Sequence, residues 1–110
     1  MAFQVDRLGP GCFRLAGELD MASTPILDLA MLAAVEGRGD VVLDLAELTF
    51  IDSYGIGSLV ALSQALDHQA RKLVLAAPTT FILGVLRIAG VEFWPGVQVR
   101  GPSPGPGQDG

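Results

Sequence analysis

Apolar positions recur along this chain with two periods, and the change between them marks its elements. Phe3 to Val5 predicts a short strand and Gly9-Pro10-Gly11 a turn. Cys12 to Ala16 then alternates, with Phe13 and Leu15 on one face and Arg14 on the other. These two segments predict an N-terminal antiparallel pair. Thr24-Pro25 is a helix-start signature, a capping hydroxyl followed by a proline whose missing N–H costs nothing there. Ile26, Leu29, Ala30 and Ala33 are the expected buried stripe of that helix, and Gly37 to Asp40 its end.

Val41-Val42-Leu43-Asp44-Leu45 is almost continuously apolar, the pattern of a strand covered on both faces. A separate apolar piece, Leu48 to Ile51, leads into Asp52-Ser53. Ile56, Leu59, Leu62 (or Ser63) and Leu66 then recur at helical spacing as far as about Ala70. Leu73 to Ala76 is a further buried strand. Pro78-Thr79-Thr80 opens a third helix, with Phe81, Val85 and Ile88 along its face and Gly90 as its stop. Phe93 to Val99 supplies a last strand, interrupted by Pro95-Gly96. The fold class is α/β: one domain with a small mixed sheet, an N-terminal antiparallel pair and flanking helices. It spans residues 1–100. Residues 101–110 hold four Gly and three Pro and no large apolar side chain, so that segment is expected to be a disordered tail.

Composition narrows the function. Within 110 residues, 7 Lys+Arg face 12 Asp+Glu, a formal net charge of −5, and no basic stripe exists for a nucleic acid to follow. One cysteine, Cys12, forms no disulfide framework and has no Cys or His neighbours for a zinc site; it reads as a small packing residue. The expectation is no metal and no cofactor. The first residues lack a signal-peptide pattern, and no apolar run approaches the roughly 18 residues of a membrane span. A cytoplasmic protein without direct membrane insertion is expected.

The chemistry concentrates where Ile51 gives way to Asp52-Ser53-Tyr54-Gly55-Ile56-Gly57. A carboxylate and a hydroxyl stand at the start of a helix, whose free N–H groups and partial positive charge accept anions, phosphate above all. One reading makes Gly55 and Gly57 a turn cleared for an approaching surface. The other makes Asp52 or Ser53 an ordinary N-cap and the glycines a device for close packing. Enzyme readings fail on the inventory. A nucleophile elbow needs glycine where Ile51 stands. The only histidine, His68, lies fifteen residues beyond Ser53 on the same helix, roughly 22 Å away, and reads as a surface residue. A dinucleotide fingerprint would need glycine at Val60, and no P-loop is present. The carboxylate pairs Glu18 with Asp20 and Asp44 with Glu47 read as solvated or capping groups, and Trp94 as a core or edge anchor.

Three segments, in order, resemble the STAS domains of bacterial anti-sigma factor antagonists. Ala16-Gly17-Glu18-Leu19-Asp20 with Ser23-Thr24-Pro25 is similar to their "GELD…(T)AP" segment. Val41 to Leu45 with Phe50 to Gly57 is similar to "VVLDLS…FIDSSGLG". Ala77-Pro78-Thr79 with Val85 to Val91 is similar to "P…V.R.L…(T/S)GL". The resemblance implies a non-enzymatic partner switch. The unphosphorylated antagonist binds an anti-sigma factor that is also a serine kinase and so frees a sigma factor; phosphorylation of the serine after the motif aspartate releases it, and a PP2C-type phosphatase restores it. Carried over, the phosphorylation site is Ser53, and Asp20, Asp52, Ser53, Tyr54, Gly55 and Gly57 form the partner-binding surface. Tyr54 departs from the small residue usual after the motif serine. Alternatives are a STAS domain acting as a cytoplasmic transporter subunit or stressosome scaffold, or a small nucleotide- or anion-binding module.

Overall fold

The computed structural model describes residues 2–101, so the expectation for the Gly/Pro segment falls, from residue 102 on, outside the described residues. Five strands and three helices follow one another as β1 (Gln4–Gly9), β2 (Cys12–Leu19), α1 (Thr24–Glu36), β3 (Val41–Ile51), α2 (Ser53–Asp67), β4 (Leu73–Ala76), α3 (Thr80–Ile88) and β5 (Val97–Arg100), with a 3-10 turn at Val91–Phe93. The sheet order is β1-β2-β3-β4-β5. β1 and β2 are antiparallel, and every later pair is parallel. When strands are added always on the same side, right-handed crossovers place all the helices on one face. Accordingly Leu27 and Met31 of α1, Leu59 and Leu66 of α2, and Ile82 and Leu86 of α3 share one core with Phe13, Leu15, Leu43 and Leu75.

The two apolar pieces expected at 41–45 and 48–51 are one strand of 11 residues. Against β2, Arg14 and Ala16 pair with Asp44 and Glu47, and Gly17 and Glu18 with Leu48 and Phe50, so β3 carries an extra residue at two places. Each bulge shifts the side-chain phase by one. This is why Leu45, Leu48 and Ile51 are all buried although they stand three apart. The Asp44 carboxylate accepts the Ala46 N–H at 2.9 Å, and the Thr49 hydroxyl donates to the Gly17 carbonyl at 3.1 Å. β3 is also not covered on both faces as expected. Val42, Asp44 and Ala46 are only half-buried on the side opposite the helices, where Arg14 meets Asp44 at 3.6 Å and Glu47 at 3.5 Å.

Two helices are rotated from their expected orientation. α1 buries Leu27, Met31 and Ala34, while Ile26 and Leu29 are 48% and 71% exposed and Ala33 is also exposed. α3 buries Ile82, Leu83 and Leu86, leaving Phe81 and Ile88 outside. Both helices are apolar on more than one side, and spacing alone does not choose between two such faces. α2 has one apolar face and matches its expected stripe at Leu59, Leu62, Ser63 and Leu66, although it stops at Asp67. Trp94 is buried and its indole donates to the Ala89 carbonyl, the anchor role expected of it.

Candidate functional site

β4 pairs with β3 only as far as Asp44 opposite Ala76. β3 then runs on through residues 45–51, roughly 20 Å further, accompanied by β2 to the pair Leu19–Ile51. The start of α2 therefore sits at the tip of a two-stranded extension, next to the loop that joins β2 to α1. Asp52, Ser53, Tyr54 and Asp20 all lie at this tip.

Asp52 is the N-cap of α2. Its Oδ1 accepts the backbone N–H groups of Tyr54 at 2.9 Å and Gly55 at 3.0 Å, which fills the capping role that sequence assigned to either Asp52 or Ser53. Its Oδ2 accepts the N–H of Met21 at 3.2 Å, and its own N–H donates to the Leu19 carbonyl at 3.1 Å. One carboxylate thus joins the first turn of α2 to the β2–α1 loop. Asp20 organises that loop from within. Its carboxylate accepts from the N–H groups of Ala22 and Ser23 and from the Ser23 hydroxyl. The buried Ser23 hydroxyl donates to the Glu18 carbonyl at 2.8 Å. Ser23, rather than Thr24, is the N-cap residue of α1, but its side chain is used inside the loop and caps nothing.

Because Asp52 does the capping, the Ser53 hydroxyl is left free of that duty. Ser53 is exposed, in the first turn of a helix of 15 residues. Tyr54 is 57% exposed beside it and does not bury it. The two glycines have different roles. A Cβ on Gly55 would lie 2.7 Å from Ile51 Cγ1, 2.8 Å from Leu19 Cγ and 2.9 Å from the Leu19 carbonyl oxygen. Gly55 is buried and lets the helix start pack on the strand ends; it does not belong to an open turn. Gly57 is exposed, and a Cβ there would meet nothing within 4 Å. His68 caps the far end of the same helix and is exposed, separated from Ser53 by the helix length. Among the described residues no three His, Cys, Asp or Glu side chains cluster as metal ligands, and no helix is long and apolar enough to cross a membrane.

Sequence reasoning missed Arg71. It is 8% exposed, and its guanidinium donates to the carbonyls of Ala34 at 2.8 Å, Val35 at 2.8 Å and Gly39 at 2.7 Å. A cation thereby closes the C-terminal end of α1, where carbonyls lack helical partners. The only signal in the sequence is a cation placed just before a buried strand.

The chain is similar to known proteins in sequence and in fold. An anti-sigma-B factor antagonist of Staphylococcus epidermidis is 29% identical over 80 residues, covering 72% of this chain and 74% of that protein. The structure of the anti-sigma factor antagonist SpoIIAA in its unphosphorylated form superposes with a TM-score of 0.70 at 20% identity, covering 91% of this chain and 89% of the other. The Bacillus cell fate determinant SpoIIAA in its phosphorylated form gives 0.65 at 20% identity, over 91% and 92%. These structures share the fold. The family described as "Mlab, STAS domain" matches residues 7–93, which run from β1 through the helix start at Ser53 to the 3-10 turn after α3. Because that match spans most of the chain, the chain belongs to the STAS domain family.

Proposed function

We propose that the protein is an anti-sigma factor antagonist that works by binding and release rather than by catalysis. In its unphosphorylated state it binds an anti-sigma factor with serine kinase activity and so frees a sigma factor. Phosphorylation of Ser53 releases it, and a PP2C-type phosphatase resets it. The observation that carries the reading is the Ser53 hydroxyl, exposed at the start of α2 and relieved of capping by Asp52. The names of the Staphylococcus epidermidis relative and of SpoIIAA support the antagonist role, and a SpoIIAA structure in phosphorylated form supports a phosphate switch.

A phosphate brings about −1.5 to −2 charge at pH 7. At the N-terminal end of α2 it meets a favourable dipole, so the helix survives modification. At the interface, the same dianion sits beside Asp52 and Asp20, against a surface that had accepted a neutral hydroxyl. Burying that charge unpaired costs several kcal/mol, enough to lower affinity a hundredfold.

The test is to combine the purified protein with a candidate anti-sigma kinase and ATP, and to locate the phosphate by mass spectrometry. Modification confined to Ser53 and abolished in Ser53→Ala supports the proposal; phosphate at another residue, or none with a kinase that binds, sinks it. A second reading open to a member of the STAS domain family is a cytoplasmic subunit of a transporter. Under that reading the partner bound at Ser53 is a transport protein and survives addition of ATP.

A further inference from the structure

α1 is apolar on the side that faces away from the core as well as on the side that faces it. Leu29 is 71% exposed, Leu32 61% and Ile26 48%, and the only charged residues from Thr24 to Glu36 are Asp28 and Glu36. A helix that is hydrophobic all round belongs in an interior, yet this one forms the surface. Beside it, between α1 and α2, runs an open groove of about 390 Å³. Its floor is Met31 and Val35 from α1 and Leu62 from α2, and one wall is Leu32. The α2 wall is low, made of Ser58, Ala61 and Ala65.

The geometry points to this groove as a second docking surface that takes an apolar helical segment of a partner protein bearing Lys or Arg beside its apolar face. The shape suits a helix, because two packed helices with one low wall leave room for a third laid between them. The charge selects the partner. Asp28 and Glu36 edge the groove, and no Lys, Arg or His is among its lining residues in the described part of the chain. A second copy would bring acids against the same acids in a chain of net charge −5, a repulsion that a cationic partner turns into attraction. The surface begins beyond Ser53 along α2 and on a different side of the helix, so it goes beyond the phosphate switch and stays available in both states of Ser53.

The test uses a synthetic amphipathic helical peptide of Leu and Lys, its Leu and Glu counterpart, and the full-length protein. Backbone amide shifts recorded on titration are expected to move at Leu32, Ala61 and Ala65 with the Lys peptide, with no binding of the Glu peptide. Asp28→Lys combined with Glu36→Lys, and separately Leu32→Asp, are each expected to lower affinity about tenfold or more. Ile88→Asp, at an exposed position of α3, and Ser53→Asp leave it unchanged. Thermal unfolding of each variant confirms that it is folded, which exposed positions permit. Equal binding of both peptides, or indifference to the groove substitutions, overturns the inference. So does a homodimer of the free protein in sedimentation that Leu32→Asp dissolves. Binding that survives in Ser53→Asp separates this surface from the switch, whatever the fate of that proposal.

Discussion

The carboxylate of Asp52 accepts a hydrogen bond from the backbone N–H of Met21, 31 residues earlier in the chain, at 3.2 Å. With its other oxygen capping α2, this side chain sets the position of the β2–α1 loop relative to Ser53. Replacing it frees two helix N–H groups and one loop N–H together. Asp52→Ala is expected to cost about 1–3 kcal/mol in urea unfolding. Asp52→Asn, which keeps an acceptor oxygen, should lose distinctly less. Equal losses in the two variants would mean that the hydrogen bonds are not the source of the effect.

Gly55 and Gly57, two residues apart in the same helix, predict opposite outcomes. Gly55→Ala drives a methyl into Leu19 and Ile51, including a backbone oxygen that cannot turn aside, and should destabilise by about 1–3 kcal/mol. Gly57→Ala meets nothing within 4 Å and should stabilise by about 0.5–1 kcal/mol, because alanine loses less backbone entropy in a helix. Denaturant midpoints of the two variants check both signs. If the surface at Gly57 meets a partner, the stabilised variant should bind that partner less well.

Arg71 gives a third test, away from the site. Its guanidinium satisfies carbonyls of Ala34, Val35 and Gly39 in a buried place. Arg71→Ala leaves these acceptors unsatisfied and should cost about 2–4 kcal/mol. Arg71→Lys, a single ammonium without the planar fork, should recover only part of it. Hydrogen exchange should show the last turn of α1 opening first.

How much of this is legible in the sequence depends on whether one pattern has one solution. α2 is readable because its apolar residues, Leu59, Leu62 and Leu66, lie on one face and its cap, Asp52, is a strong acceptor. α1 is not, because Ile26 and Leu29 are as apolar as Leu27 and Met31, and only the angle at which β2 delivers the chain decides which set turns inward. β3 reads as two pieces because a bulge erases alternation without leaving a composition signal of its own. At the site, the type of residue is visible at Ser53 and Asp52. The division of labour between Gly55 and Gly57 depends on Ile51 and on Leu19, and the Leu19 contact, with a residue more than thirty positions away, is encoded by no local spacing.

The exposed hydroxyl of Ser53 predicts a separation between folding and binding. Since capping rests with Asp52, neither Ser53→Ala nor Ser53→Asp removes a hydrogen bond from α2. The added carboxylate in Ser53→Asp faces a favourable helix dipole but lies beside Asp52, and these effects oppose each other within a few tenths of a kcal/mol. Both variants should therefore unfold in urea within about 0.5 kcal/mol of the parent protein. Against the partner of the Ser53 surface they should diverge. Ser53→Ala keeps a small neutral side chain and binds as the parent does, while Ser53→Asp weakens binding about tenfold or more. Calorimetric titration alongside the unfolding curves checks the pair. A large loss of stability in Ser53→Asp would instead make the switch a conformational one, in which charge at Ser53 acts by loosening the helix start and not by repelling a partner.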